Sequence, residues 1–121
     1  MSDVTGSVEI ELREAGAAVG EARLAAKQLA NDLGVTGDSA DRLVLVVSEL
    51  ATSLVVHGGG GTITMHPRPG RTVLVTATTA ETNVHGPAQA SLGQGLSLVQ
   101  RLAASVSIEP GHRITVVVGL G

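Results

Sequence analysis

Three polar residues recur at a spacing that could place them side by side on a helix. Glu49, Ser53 and His57 are each four residues apart in a mostly apolar segment, and residues four apart lie on one face of a helix. A carboxylate, a hydroxyl and an imidazole arranged in this way could hold a metal-bound phosphate or orient a water molecule. A helix with an ordinary solvated side has the same pattern, so the spacing alone leaves both interpretations open.

A second candidate for chemistry is the glycine-containing segment at residues 92–96, which reads Leu-Gly-Gln-Gly-Leu. It precedes a segment with a helical pattern, and glycines there let backbone N–H groups approach phosphate oxygens at the positive end of a helix. Gly93, Gly95 and Leu96 are therefore candidate phosphate-binding residues. The alternative is an ordinary loop whose glycines adopt positive φ angles.

The composition argues against several classes of function. The formal net charge is −3, and the eight Lys and Arg residues are scattered rather than clustered, so no basic patch for a nucleic-acid backbone is visible. The chain has no Phe, Tyr or Trp to stack on bases, and no Cys for disulfides or thiolate metal sites. No apolar run is long enough for a membrane span. We therefore expect a cytoplasmic protein with no nucleic-acid partner and no membrane partner.

The polar stripe must be positioned by a helix that the sequence only just distinguishes from a strand. Asp38 or Ser39 could cap this helix by accepting backbone hydrogen bonds. The run Leu43 to Val47 is rich in β-branched residues, which favour strands. About eighteen residues without a turn signal exceed the usual length of a strand, so a helix is predicted.

The other predicted elements follow from hydrophobic periodicity and turn residues. They are a strand at 8–12, a helix at 17–33 that ends at Gly34, a hairpin of 62–66 and 71–78 around a turn at 67–70, a helix at 96–104, and a hairpin of 106–108 and 114–118. This order predicts the α+β class: a two-layer α/β sandwich with a mostly antiparallel sheet and helices on one face. The length predicts a single domain spanning 1–121, with an ordered core of about 7–120.

Two blocks of sequence resemble the histidine-kinase-like (GHKL) ATPases. The first, at 48–58, reads Ser-Glu-Leu-Ala-Thr-Ser-Leu-Val-Val-His-Gly, and the second, at 92–102, reads Leu-Gly-Gln-Gly-Leu-Ser-Leu-Val-Gln-Arg-Leu. The anti-sigma-factor and stressosome switch kinases of this family have Glu-Leu-x-x-Asn before His-Gly, and a later Gly-Leu-Gly-x-Gly-Leu before Val-x-Arg-Leu. The resemblance extends from Val8 to Leu120.

The resemblance implies ATP and Mg as cofactors and assigns roles by position. Glu49 matches the general base, and His57 matches the His of the His-Gly pair. Ser53 stands where the family has its magnesium-binding Asn, and Thr79 stands where an Asp binds the adenine amino group. These two departures weaken the implied metal and nucleotide sites.

Three functions remain open at this stage. The favoured one is a regulatory module that binds a STAS-domain protein or a sigma factor, with nucleotide binding weakened or lost. The second is an active Mg-ATP-dependent serine/threonine kinase of a STAS-domain protein. The third is a structural or dimerisation domain without nucleotide, which an outer sheet face as Val-rich as the inner one would support. A homodimer is compatible with each.

Overall fold

The computed structural model describes residues 7–12, 17–57, 60–79, 97–109 and 113–120. Within these ranges the chain forms five strands and three helices. In chain order they are β1 (Val8–Leu12), α1 (Ala17–Asp32), α2 (Gly37–His57), β2 (Gly61–Arg68), β3 (Thr72–Thr79), α3 (Ser97–Leu102), β4 (Ser105–Glu109) and β5 (Arg113–Gly119).

All five strands form one antiparallel sheet in the order β1-β2-β3-β5-β4. The register aligns Ile10, Ile63, Ala77 and Ile114 in one row across four strands. Alternate residues of a strand point to opposite faces, so this row and its neighbours two residues away form a continuous apolar face. The predicted α+β class with a mostly antiparallel sheet is confirmed.

The hydrophobic core lies between this inner face and the helices α1 and α2. It consists of buried aliphatic side chains from both layers, among them Leu29, Leu43, Val46, Leu50, Leu54, Ile63, Met65, Val73, Val75, Val116 and Val118. Without aromatic residues, the packing depends on many small branched side chains that interdigitate.

The outer face of the sheet is mostly polar in the described residues, with Leu74 and Val117 as a paired apolar exception. Thr64, Thr76 and Thr115 form a row that continues to Glu9 on one side and Ser107 on the other. The Val-rich face of β3, by contrast, is the inner one and is buried. An equally Val-rich outer face, which would support a dimerisation domain, is therefore not found in this part of the chain.

The end of α1 is fixed by backbone hydrogen bonds around Gly34. The N–H of Val35 donates to the backbone carbonyl of Ala30 (2.9 Å), and the N–H of Gly34 donates to the backbone carbonyl of Asn31 (3.0 Å). Together with a φ of 74° at Gly34, these bonds form a Schellman motif. Glycine is favoured at this position because it adopts the left-handed conformation without a Cβ clash. The predicted stop at Gly34 is confirmed. Since α2 begins at Gly37, Asp38 and Ser39 lie within its first turn and do not precede it as caps.

Two further element ends differ from the sequence prediction by two residues. β2 continues through Pro67 to Arg68, where a turn was predicted. Among the described strand pairs, β1 meets β2 only from Met65 towards Gly61, so Pro67 lies on an edge where its missing N–H is tolerated. α3 ends at Leu102 instead of Ala104, because the N–H of Ala104 donates to the carbonyl of Val117 (2.8 Å) and leads the chain into β4.

Candidate functional site

The helix α2 carries the three polar residues of the predicted stripe. Glu49, Ser53 and His57 lie on successive turns, about 6 Å apart along the axis at a rise of ~1.5 Å per residue. Glu49 is half-buried, and Ser53 is buried with 5% of its surface exposed. His57 is the last residue of the helix, and its side chain lies outside the described part. The prediction that these three residues lie on one helix is therefore confirmed.

Ser53 is a buried polar residue within the apolar side of α2. Its neighbours Leu50 and Leu54 belong to the core. Among the described residues, no hydrogen bond reaches the Ser53 hydroxyl, whereas the exposed Thr52 donates its own hydroxyl hydrogen to the carbonyl of Ser48 at 2.9 Å. A buried hydroxyl without a partner costs free energy, so Ser53 is a position where a ligand, a water molecule or another part of the chain would be stabilising.

The C-terminal end of α2 is joined to the sheet beside Thr79. The N–H of Gly60 donates to the carbonyl of Leu54 at 2.8 Å, and the next residue, Gly61, pairs with Thr79 at the end of β3. This connection brings the last turn of α2 and the backbone of Thr79 to the same end of the sheet. The Thr79 side chain is not among the described ones.

The glycine segment of the second sequence block lies outside the described residues, and so do Gly93, Gly95 and Leu96 themselves. The helix that follows them, α3, is described. Val99 of α3 is fully buried, and α3 packs against α2. The structure thus brings the helices of the two sequence blocks into contact, although those blocks are about forty residues apart in the sequence.

Oxygen donors that could hold a magnesium ion are few among the described residues of the candidate site. They contain no cluster of three or more His, Cys, Asp or Glu side chains that could hold a metal. Magnesium bound with a nucleotide needs only one or two protein oxygens, with phosphates and water completing the octahedron. Glu49 and Ser53 offer one carboxylate and one hydroxyl on adjacent turns, and the hydroxyl is the shorter and weaker substitute for an amide oxygen.

Comparison with known proteins identifies the fold. No family model matches this sequence, and no curated protein does. The solved structures that match include the RsbU and RsbW domains of Rv1364c from Mycobacterium tuberculosis, with a TM-score of 0.77 and 17% identity. They also include a chain of the SiaB–SiaC complex from Pseudomonas aeruginosa, with a TM-score of 0.67 and 10% identity.

The fold is that of the histidine-kinase-like ATPases. The first match covers 96% of this chain and 33% of that chain, so this chain spans a third of its length. The second covers 92% of this chain and 87% of that chain. At these identities the likeness establishes the histidine-kinase-like fold, and the resemblance found in the two sequence blocks is confirmed at that level.

Two structural features were not predicted from the sequence. Arg42 of α2 donates from Nη1 to the carbonyl of Gly119 at 3.0 Å, which ties α2 to the end of β5. A cavity also lies at the end of the sheet away from Thr79. The position of Arg42 directly before the apolar run of α2 was the available signal for the first, and no local sequence pattern marks the second. Of the described helices, none is long and apolar enough to cross a membrane.

Proposed function

We propose that this protein is a regulator of the bacterial partner-switching kind, which acts by binding a STAS-domain protein or a sigma factor. In this proposal its nucleotide binding is weakened or lost. The histidine-kinase-like fold supplies the framework, and the departures at Ser53 and Thr79 supply the reason for the weakened site.

One observation carries the protein-binding part of the proposal. The chain of the SiaB–SiaC complex that shares this fold was solved in association with another protein, and the likeness covers most of both chains. The protein-binding part needs no residue of the nucleotide site, so the two departures do not count against it.

The two substituted positions account for the proposed weakening of the nucleotide site. The resemblance places a magnesium-binding amide at 53 and an adenine-binding carboxylate at 79. Loss of each interaction costs roughly 1.5–3 kcal/mol when a charged partner is involved. Each 1.4 kcal/mol is about tenfold in affinity, so a micromolar ATP site would become millimolar or weaker.

The retention of Glu49 favours a second candidate function, an active serine/threonine kinase. Glu49 stands at the general-base position and is half-buried next to the turn that holds Ser53. In that function its carboxylate would accept the proton of the attacking hydroxyl of a STAS-domain protein. The hydroxyl oxygen would form a bond to the γ-phosphorus of Mg-ATP, the bond between the γ-phosphorus and the β–γ bridging oxygen would break, and ADP would leave.

The nucleotide part is tested by restoring the residues that the family pattern has. Mg-ATP would be titrated by calorimetry into the wild type, Ser53→Asn, Thr79→Asp and the double variant, since no Trp or Tyr reports binding optically. The neighbouring substitutions Thr52→Asn and Thr78→Asp are matched controls. We expect negligible heat from the wild type and the controls, and a measurable dissociation constant for the double variant. Micromolar binding by the wild type would overturn the weakened-site proposal.

The protein-binding part is tested separately, with purified STAS-domain proteins and sigma factors from the same genome. We expect one of them to form a complex with the wild type in the absence of nucleotide, measured by calorimetry and gel filtration. Binding that requires Mg-ATP, together with phosphate transfer that is lost in Glu49→Gln, would establish the kinase instead. Failure of every candidate to bind under both conditions would refute both functions.

A further inference from the structure

A cavity of about 210 Å³ lies at the end of the sheet opposite Gly61 and Thr79. Its walls are formed by the loop after α1, the β2–β3 turn and the residue after β5. The apolar part is formed by Leu33, Val35, Pro67 and Leu120, of which Val35 and Leu120 are buried. Arg68 and Arg71 also line the cavity, and both residues are exposed.

Hydrogen bonds fix the backbone of the turn that bears the arginines on one side of the cavity. Arg71 has a φ of 58°, an uncommon left-handed conformation for a residue with a side chain, directly after Gly70 with a φ of 85°. The N–H of Leu120 donates to the Arg71 carbonyl at 2.8 Å, and the Thr72 hydroxyl donates to the Pro69 carbonyl at 3.3 Å. The turn is thus fixed from both sides, which reduces the entropy lost when a ligand binds.

The electrostatics of the cavity favour an anion. Within the described residues neither Arg68 nor Arg71 forms an ion pair. The acidic residues at the neighbouring ends of α1 and α2 are Asp32, Asp38 and Asp41; all are exposed, and none lines the cavity. A guanidinium presents paired N–H groups that match the two oxygens of a carboxylate.

The volume limits the size of the group that can enter. A water molecule takes up about 30 Å³ of the liquid, so a volume of about 210 Å³ has the space of about seven waters. A branched chain of four or five carbons fits this volume and matches the aliphatic wall.

From the size, lining and charge together, we propose that this cavity binds a carboxylate carried on a short branched apolar chain. Two sources share this chemistry: a free branched-chain acid, and the C-terminal Leu, Ile or Val of a peptide. The chain would contact the aliphatic wall, and the carboxylate would pair with Arg68 and Arg71. The proposal does not depend on nucleotide or partner binding at the other end of the sheet.

The test is an amide chemical-shift titration of the ¹⁵N-labelled chain by NMR. The probes are 4-methylpentanoate, the matched alcohol 4-methylpentan-1-ol, and acetate. We expect 4-methylpentanoate to shift the amides of residues 33–35, 68, 70–72 and 120 with saturable, millimolar affinity, and the other two probes to bind at least fivefold more weakly. Equal binding of the alcohol, saturable binding of acetate with similar affinity, or no localised shifts would each overturn the proposal.

The roles of the two arginines are tested by Arg68→Gln and Arg71→Asn, since Asn tolerates the left-handed backbone. Arg23→Gln on α1 is the distant control. The amide spectrum itself reports whether each variant is folded. We expect each cavity variant to bind 4-methylpentanoate about two- to fivefold more weakly, as for exposed ion pairs, and the control to bind unchanged. Unchanged binding in both cavity variants would refute pairing with the arginines.

A last arm distinguishes the two sources. N-Acetyl-glycyl-leucine with a free carboxyl would be compared with its C-terminal amide. Affinity at least tenfold above that of 4-methylpentanoate, lost in the amide, would support the proposal with a peptide terminus as the ligand. Affinity no better than that of 4-methylpentanoate would support it with a free acid. Equal affinity of the peptide acid and its amide would contradict it.

Discussion

Replacement of Ser53 by Ala should stabilise the protein, although Ser53 is the middle residue of the polar stripe in the candidate site. The side chain is 5% exposed, and no described residue hydrogen-bonds its hydroxyl. A buried hydroxyl without a partner costs ~1–3 kcal/mol, and Ala is better than Ser in a helix by about 0.5 kcal/mol. With the lower value for burial, we expect a gain of about 1.5 kcal/mol in the free energy of unfolding.

Urea unfolding followed by far-ultraviolet circular dichroism measures this gain, because the chain has no aromatic fluorescence. At an m-value of about 1.5 kcal/mol per molar urea, the midpoint would rise by about 1 M. Ser48→Ala is the matched control, since Ser48 is a half-buried serine of the same helix and isolates the helix-propensity effect of about 0.5 kcal/mol. If Ser53→Ala is no more stable than Ser48→Ala, the hydroxyl already has a partner and the reasoning is refuted.

Two other substitutions test the backbone and one hydrogen bond by the same unfolding assay. Gly20→Ala, in an open part of α1, should stabilise by about 0.8 kcal/mol, whereas Gly34→Ala should destabilise by ~1–2 kcal/mol because its φ is left-handed. The two substitutions must change the free energy of unfolding in opposite directions. A Gly34→Ala variant that is more stable than the wild type would contradict the helix-end geometry. Arg42→Met should cost about 1.5 kcal/mol through loss of the bond to Gly119, while Arg23→Met changes stability by less than ~0.5 kcal/mol.

Much of the fold could be predicted because local signals and packing agree. The alternation in β1 and the Gly34 stop are local, and both occur as predicted. The run from Leu43 to Val47 was ambiguous, and length alone decided in favour of a helix. In the structure that helix is stable despite its valines because Leu43, Val46 and Val47 are fully buried against the sheet, and burial outweighs the small cost of β-branched residues in a helix.

The parts that could not be predicted depend on distant contacts. The extension of β2 through Pro67 depends on where β1 stops pairing, and the early end of α3 depends on a hydrogen bond to β5. For the candidate site, spacing placed Glu49 and Ser53 correctly on one helix face. Spacing could not reveal that Ser53 is buried, since burial is decided by elements that pack on α2 from elsewhere in the chain.

The position of β5 between β3 and β4 has a consequence for the order of folding. The last of the described strands is an interior strand of the sheet, so β3 has an open edge until β5 arrives, and among these strands β4 pairs only with β5. Pairing of strands so distant in sequence is slow, and an unpaired edge favours aggregation. During synthesis, the sheet can therefore be completed only after residues 113–119 have left the ribosome, and until then the edge of β3 that β5 will occupy stays unpaired.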